Sequence, residues 1–212
     1  MTPERFDIYD DQQNWIGTSL RSEVHAKGYW HRSFHCWIVR DEGEQRRVLF
    51  QRRRDIKDTF PGCYDITAAG HLTAGEQLQD ASRELEEELG VYTPFEALTY
   101  LLTATQQLQG EVRGVPFVDR EFSAVYGLCL NQPLEAYVLQ PSEVDSLYEV
   151  PLDDLLALFR SEIDVIQATG VQTHPLTEPE RIVREIRATE FVPHGTAYYT
   201  DVLEALYHVP KD

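Results

Sequence analysis

The chain has 212 residues, a formal net charge of -17 at pH 7 and 42% hydrophobic residues. This length and composition are typical of one globular domain with a substantial core. The acidic balance excludes binding of long nucleic acid through its phosphate backbone, which needs a basic surface. It is compatible with a small phosphorylated substrate, because a bound metal ion inverts the local field.

The cysteines and the N-terminal segment bear on the compartment. Cys36, Cys63 and Cys129 are widely spaced and match neither a metal-finger pattern nor an even-numbered disulfide framework. The N-terminal residues contain no apolar signal region, and no stretch of the sequence is long enough to span a membrane. We therefore expect a cytoplasmic protein with no membrane partner.

The first predicted elements are strands and turns. Residues 34–39 and 48–51 are rich in strand formers and flank the polar turn at residues 41–44, which predicts a hairpin. Pro61-Gly62 marks another turn, and residues 64–69 predict a short strand. After an intervening helix, residues 97–106 and 117–130 predict two more strands, with residues 110–114 as the loop between them.

The later elements are mostly predicted helices. Residues 148–151 predict a last strand, and residues 152–163 have helical periodicity with two aspartates in the first turn. The run Thr-Glu-Pro-Glu at residues 177–180 predicts the start of another helix, and residues 202–207 a closing one. Mixed strands followed by helices favour an α+β fold. We expect a single domain over residues 1–212, with a core at about 23–165 and a helical extension over about 166–212.

The helix predicted between the strands at residues 64–69 and 97–106 carries an unusual number of carboxylates. Successive helix residues rotate by about 100°, so the spacing predicts one acidic arc and one apolar arc. Packing of the apolar arc would hold the carboxylates in place, and their oxygens suit Mg²⁺ or Mn²⁺. The alternative is a solvated acidic face, which is common in an acidic chain. The acidic arc comprises Glu76, Asp80, Glu84, Glu87 and Glu88, and the apolar arc comprises Leu78, Ala81, Leu85 and Leu89.

The string from Gly70 to Val91 resembles the Nudix box, G-x5-E-x7-R-E-U-x-E-E-x-G-U, where U is an aliphatic residue. Residues 83–91 match the second half at every fixed position, and Gly70 and Glu76 match the first half. In one departure, six residues rather than seven separate Glu76 from Arg83, which leaves the role of Glu76 open. Arg83 is expected to orient the glutamates through ion pairs, and Gly70 to let the loop curl beneath the helix.

This resemblance implies an α/β/α sandwich and an enzyme that cleaves a nucleoside diphosphate linked to another moiety, by attack of water on phosphorus. It implies Mg²⁺ or Mn²⁺ as the cofactor. Glu84, Glu87 and Glu88 are the implied catalytic residues and metal ligands, and one of them or a carboxylate outside the helix is the general base. Glu76 joins the implied ligands, and Gly90 joins Gly70 and Arg83 as a structural member of the motif.

A second resemblance, over about residues 23–150, is to the Nudix branch that contains isopentenyl-diphosphate isomerase. Trp30-His31, residues 51–58, Pro61-Gly62 and Ala69-Gly70-His71 carry it. In that enzyme histidines and two later acidic residues hold a metal, and a basic pair grips the diphosphate. Taken singly, each histidine here is more typical of a packing or surface role. The matching positions are His25 (shifted by one residue), His31, His71, Asp119 and Glu121 for the metal, and Arg53 and Lys57 for the diphosphate.

One position separates the two activities. The isomerase needs a cysteine directly before the motif glycine for proton transfer, whereas this chain has Ala69 there, and Cys63 lies six residues earlier, beyond a turn. The box glutamates are also intact, and a binding module without catalysis would usually have lost them. Hydrolysis of a phosphoanhydride is therefore favoured over isomerisation and over simple binding. The substrate and the number of metal ions stay open, as does a homodimer. We expect residues 106–116 and the C-terminal extension to select the substrate.

Overall fold

A computed structural model describes residues 3–57, 59–112, 114–174 and 177–212. These residues form eleven strands and four α-helices, and none of the helices is long and apolar enough to cross a membrane. The elements are β1 Arg5–Tyr9, β2 Trp15–Leu20, α1 Arg21–Lys27, β3 Trp30–Glu42, β4 Gln45–Arg53, β5 Tyr64–Asp65, β6 Ala68–His71, α2 Arg83–Leu89, β7 Thr99–Val112, β8 Val115–Cys129, β9 Val144–Pro151, α3 Leu152–Phe159, β10 Ile166–His174, β11 Thr177–Ile186 and α4 Thr196–Leu206.

A mixed sheet forms the centre of the molecule. Seven of its strands follow one another in the order β11-β10-β9-β4-β3-β1-β2. Strand β8 runs parallel to β3, from the pair Trp30–Arg120 to the pair Val39–Cys129, and forms a long antiparallel hairpin with β7. Both parallel and antiparallel neighbours therefore meet at β3.

Helices cover both faces of this sheet. Side chains alternate along a strand, so β3 sends Phe34 and Ile38 into the core beneath α2, and Trp37 and Val39 into the core beneath α3 and α4. The helix α2 is anchored by two leucines that are fully buried, Leu85 and Leu89. The predicted α+β sandwich is confirmed.

The sheet divides at one end. Strands β3 and β4 pair only near their connecting turn, from Val39–Val48 to Glu42–Gln45. Beyond those pairs the two strands separate, and β6 becomes the neighbour of β3 while β5 becomes the neighbour of β4. A gap opens between the two halves, and polar side chains collect around it.

The C-terminal extension is not purely helical. The helix predicted to begin at Thr177 is wrong, because residues from Thr177 to Ile186 form β11, which pairs with β10, and β10 pairs with β9. Backbone pairing overrides the local capping signal. Pro179 is tolerated because β11 is the outermost strand and needs no second ladder. The closing helix is confirmed as α4, although it begins earlier, at Thr196.

Other boundaries also differ from the predicted ones. The strand at residues 64–69 is divided into β5 and β6, and the loop at residues 110–114 is shorter because β7 continues to Val112. Helix α3 ends at Phe159. The acidic helix α2 begins only at Arg83, after a 3₁₀ helix from Leu78 to Ser82. Glu76 precedes both helices, so the prediction that it shares a helix face with the other residues of the acidic arc is wrong.

We expect a chain truncated after residue 165 to lose cooperative folding. Helix α4 supplies five buried side chains, Tyr198, Tyr199, Val202, Leu203 and Leu206. Burial of a large apolar side chain contributes about 1.5–3 kcal/mol, so together they approach the whole stability of a domain, about 5–15 kcal/mol. Circular dichroism during heating should show no sigmoidal transition. A truncated chain that melts cooperatively near the temperature of the full-length protein would contradict an integral role for the extension.

Candidate active site

A cavity of about 460 Å³ lies at the gap between the two halves of the sheet. Residues from almost every region of the chain converge on it, including the N-terminal segment, the acidic helix and the C-terminal extension. Its lining comprises Glu4, Arg21, Ser33, His35, Arg53, Lys57, Thr59, Phe60, Asp65, Ile66, Ala69, Gly70, His71, Arg83, Glu84, Glu87, Glu88, Gln106, Leu108, Asp119, Glu121, Gln140, Ser142, Glu143, Val192 and His194.

The three glutamates predicted as catalytic residues, Glu84, Glu87 and Glu88, all line this cavity. Glu88 is the most deeply placed, with 6% exposure. Its Oε2 accepts hydrogen bonds from Gln51 Nε2 on β4 at 3.0 Å and from the backbone N of Ala69 on β6 at 3.3 Å. The carboxylate of Glu88 therefore joins the two halves of the sheet across the gap.

Gly70 makes room for a second carboxylate. It lies in strand β6, not in a loop that curls beneath the helix as expected. A Cβ atom at this position would lie 2.0 Å from Oε1 of Glu84 and 2.1 Å from its carboxyl carbon. Only a glycine lets the Glu84 carboxylate rest against the strand backbone.

Arg83 forms the ion pairs expected of it. Its Nε lies 2.7 Å from Glu76 Oε1, and its Nη1 lies 2.8 Å from Glu84 Oε1 and 3.0 Å from Glu87 Oε2. One guanidinium is thus shared among three carboxylates, and it ties the loop before the helix to the helix itself.

Glu76 is outside the cavity lining, and both of its oxygens are engaged. Oε1 accepts from Arg83, while Oε2 accepts from the backbone N of Thr73 at 2.7 Å and from Arg83 Nη2 at 3.1 Å. Its observed contacts hold Arg83 against the loop, and its role as a metal ligand stays a prediction.

The box carboxylates titrate abnormally. Burial, followed by the negative charge of Glu84, raises the pKa of Glu88 to about 8. Burial also raises the pKa of Glu84 to about 7, although the charge of Arg83 opposes the shift. A single shared guanidinium therefore does not compensate for the desolvation of these carboxylates.

The histidines that match the isomerase come together as a second cluster. Ligand atoms of His25, His31, His71 and Asp119 all lie within 4.8 Å of one another. Nε2 of His25, Nε2 of His31 and Oδ1 of Asp119 are buried and have no hydrogen-bond partner among the described residues. Buried polar atoms normally have a partner, so three converging atoms without one fit a cation.

Two imidazoles of the cluster, those of His25 and His31, are held in the neutral form. Burial is the main cause that lowers the pKa of His25 to about 3 and that of His31 to about 4, and the neighbouring His71 contributes to both shifts. Neutral imidazole is the form that binds metals. Nδ1 of His31 faces the carbonyl oxygen of Tyr29 at 3.1 Å, which leaves Nε2 for the cluster.

Glu121 stands beside this cluster and holds its neighbours in place. Its Oε1 lies 3.0 Å from Nε2 of His71, and its Oε2 accepts a hydrogen bond from Ser33 Oγ at 2.7 Å. Burial alone would raise the pKa of Glu121, but contacts with His35 and His71 hold it well below its usual range. The carboxylate is charged and can serve as a ligand or as the partner of one.

The predicted diphosphate residues line the cavity but already have partners. The ammonium of Lys57 pairs with Glu143. Arg53 donates from Nη1 to Asp65 Oδ2 at 2.8 Å, and from Nε and Nη2 to the carbonyl oxygen of Thr59. An incoming anion would share these cations with the chain.

The charge balance of the cavity decides what it can bind. Among the described residues, eight carboxylates line it against four guanidinium or ammonium groups. An anionic substrate would be repelled by that excess unless cations entered with it. The donor set, which combines hard oxygens with neutral imidazoles, suits divalent cations.

Several lining residues were not predicted, among them Ser33, His35 and Asp65, while Gln106 and His194 lie in the two segments expected to select the substrate but were not singled out there. The alternation His31-x-Ser33-x-His35 along β3 was a usable signal, because it places polar groups on one face of a strand. Asp65 and His194 gave no local signal. In the described part of the chain no cysteine lines the cavity, and all three thiols are free.

Comparisons with known proteins agree with this geometry. The NUDIX domain profile matches residues 29–168. An uncharacterized Nudix hydrolase of Clostridium acetobutylicum is 36% identical over 206 residues, which cover 97% of this chain and 98% of that protein. An isopentenyl-diphosphate Delta-isomerase of Kocuria rhizophila is 33% identical over 144 residues, which cover 66% of this chain and 76% of that protein.

Solved structures support the fold. A crystal structure of a Deinococcus radiodurans protein gives a TM-score of 0.53 at 20% identity, and covers 74% of this chain and 90% of that one. A MutT/nudix family protein from Enterococcus faecalis gives 0.51 at 13% identity, with coverages of 84% and 61%. At these identities the likeness concerns the fold alone.

We expect the metal-free protein to lose stability as the pH rises. The pKa values of Glu84 and Glu88 rise on folding from 4.5 to about 7 and about 8, so the folded state binds their protons more tightly. The free energy of unfolding therefore falls as these groups ionise. With a chelator present, the melting temperature should fall between about pH 4.5 and about pH 8, and Mg²⁺ should raise it most at the upper end.

Two variants of the same helix make this test specific. Glu88→Gln should make the pH dependence shallower, because it removes a group whose pKa folding raises to about 8. Glu86→Gln, at an exposed position of α2, is the matched control and should leave the slope unchanged. An equal slope in wild type and Glu88→Gln would contradict the assignment.

Proposed function

The chain belongs to the Nudix family and is a hydrolase of acid anhydrides, and from this premise we propose that it cleaves a phosphoanhydride bond in a diphosphate compound with Mg²⁺ or Mn²⁺. The favoured substrate is a nucleoside diphosphate linked to another moiety. The observation that carries the proposal is the acidic cavity. Three box glutamates and a histidine cluster meet there with more carboxylates than guanidinium and ammonium groups, which supports entry of divalent ions together with the substrate.

Glu84, Glu87 and Glu88 are the proposed catalytic residues and the ligands of one cation site. Their oxygens project from one face of α2, and Arg83 fixes the orientation of two of them. Bound divalent cations would neutralise the phosphate oxygens and lower the pKa of the attacking water.

His71 and Glu121 belong to the proposed second cation site, together with His25, His31 and Asp119. Support comes from the unpartnered atoms of the cluster and from the neutral state of the His25 and His31 imidazoles. The two sites border the same cavity, because His71 and Asp119 line it along with the box glutamates. A diphosphate between them would contact both.

The proposed proton transfer uses a carboxylate of the chain. One of the box glutamates accepts a proton from the attacking water, whose oxygen bonds to phosphorus. The bond from phosphorus to the bridging oxygen then breaks, and the bridging oxygen leaves on the second phosphate. Arg53 and Lys57 border the cavity where they can bind the phosphate oxygens.

Isomerisation of isopentenyl diphosphate is the second candidate. The identity to an isomerase and the histidine cluster favour it. Ala69 opposes it, because this position lines the cavity and offers no acid or base, while Cys63 is outside the lining. Hydrolysis needs no thiol, so the same residues suit it better.

A substrate panel tests the hydrolase proposal. Purified protein with Mg²⁺ or Mn²⁺ should release a monophosphate from at least one nucleoside diphosphate compound, measured by chromatography of the products. Glu88→Gln should lower kcat by about a hundredfold or more, because a buried ligand and base candidate is lost. Glu86→Gln, exposed on the same helix, is the control and should keep full activity.

Other outcomes of this panel would replace the proposal. Solvent deuterium entering isopentenyl diphosphate would establish isomerisation. Ligand-induced thermal stabilisation without any product would indicate a binding module. Absence of turnover across the whole panel with either metal would contradict hydrolysis.

A homodimer and a cytoplasmic location stay predictions. The outer strands β2 and β11 end the strand order, and their free edges could accept a second copy. Three free thiols support a reducing compartment. Sedimentation equilibrium that finds only monomer would contradict the first prediction, and recovery of the protein from a secreted fraction would contradict the second.

A further inference from the structure

One wall of the cavity comes from outside the family domain. His194 and Val192 lie between β11 and α4, beyond residues 29–168 that match the NUDIX profile, yet both line the cavity. The segment is fixed by its backbone. Val192 N donates to the carbonyl oxygen of Tyr64 at 2.9 Å, and Tyr199 Oη donates to the carbonyl oxygen of Val192 at 2.7 Å.

The ring of His194 is held at both nitrogens. Nε2 lies 3.0 Å from Asp65 Oδ1, and Nδ1 lies 2.8 Å from Gln106 Oε1. Because carboxylate and amide oxygens only accept, both ring nitrogens carry a hydrogen in this geometry, Nε2–H toward Asp65 and Nδ1–H toward Gln106. The side chain of His194 is 8% exposed, so the ring is packed in this position.

One end of this chain of contacts is Arg53. Asp65 Oδ2 accepts from Arg53 Nη1 at 2.8 Å, and Thr59 accepts from Nε and Nη2. Four of the five guanidinium hydrogens are used in this way. The fifth, on Nη1, has no partner among the described residues and is available at the cavity.

The other end is Gln106. Its side chain is 7% exposed and lines the cavity, and its Nε2 has no hydrogen-bond partner among the described residues. Since His194 engages the oxygen of this amide, the NH₂ group is the end left for a ligand. A buried donor without a partner is costly unless a ligand supplies the acceptor.

We propose that His194 is a positioning residue that holds Gln106 and, through Asp65, Arg53 as two phosphate-binding donors. The inference rests on the proposed function, and it assigns to the C-terminal extension a part of the site that binds the diphosphate. His194 does not touch the substrate. It fixes which end of the Gln106 amide faces the cavity, and it shares the charge of Asp65 so that Arg53 stays available to an anion.

The affinity for a non-hydrolysable diphosphate tests this inference. Isothermal titration calorimetry with methylenediphosphonate and Mg²⁺ should show His194→Ala binding about tenfold or more weakly than wild type, as expected when hydrogen bonds to a charged group are lost. His208→Ala, an exposed histidine in the same extension, is the matched control and should bind within about twofold of wild type.

Two conservative variants of His194 test its contacts with Gln106 and with Asp65 separately. They also distinguish loss of these contacts from loss of folding. The amide of His194→Asn reaches the position of Nδ1 and keeps the contact with Gln106, whereas that of His194→Gln reaches Nε2 and keeps the contact with Asp65. Each should recover part of the affinity. In a double-mutant cycle, Gln106→Ala should add little to His194→Ala, because both remove the same donor. For a hydrolysed substrate, KM should rise while kcat changes less than about threefold.

Binding by His194→Ala within about twofold of wild type would overturn the inference, as would full additivity with Gln106→Ala. An equal loss in His208→Ala would also overturn it, because the effect would then be general. If wild type hydrolyses a substrate and His194→Ala binds the probe as tightly as wild type, this inference is overturned while the proposed function stands. Wild type that binds the probe but hydrolyses nothing overturns the proposed hydrolysis alone, and failure of wild type to bind the probe overturns the inference.

Discussion

The site depends on carboxylates that are buried in a gap of the sheet without enough positive charge around them. Glu88 bridges β4 and β6 across that gap, and Glu84 rests on the backbone at Gly70. The separation of β3 from β4 makes room for Glu88, and the glycine in β6 makes room for Glu84. Arg83 is shared among three carboxylates, so the remaining charge is left for protons or for cations that enter from solvent to balance. Entry of cations makes the acidic chain compatible with an anionic substrate.

The parts of the site that the sequence predicted are those with local spacing. Glu84, Glu87 and Glu88 lie on one face of one helix, and Arg83 precedes Glu84 directly, so the motif contains their geometry. The histidine cluster was predicted only through resemblance, since His25, His31, His71 and Asp119 come from four separate elements. No helical or strand periodicity in the sequence could have predicted that these four residues lie together. The helix itself was predicted too long, because the 3₁₀ turn at residues 78–82 places Glu76 outside it.

The C-terminal extension shows where sequence signals fail. Thr-Glu-Pro-Glu at residues 177–180 is a good local start for a helix, yet the segment forms β11, because pairing with β10 provides backbone hydrogen bonds along its whole length. Tertiary contacts decide between helix and strand here, and local propensity carries no information about those contacts. Asp65 escaped prediction for the same reason, and Gln106 and His194 were predicted only as members of longer segments, since each is an ordinary polar residue until the fold brings the three together.

The C-terminal extension cannot be removed without changing the site, because β5 and the segment after β11 each contribute to both the core and the cavity. Strand β5 contributes Tyr64 to the core and Asp65 to the cavity in consecutive positions. The segment after β11 repeats this arrangement, with Phe191 packed in the core and His194 against Asp65. The backbone bond between Val192 and Tyr64 locks the two segments in register. The packing energy of α4 therefore also fixes the position of His194 in the cavity lining, so a domain that ended at residue 168 would lose side chains from both its core and its cavity.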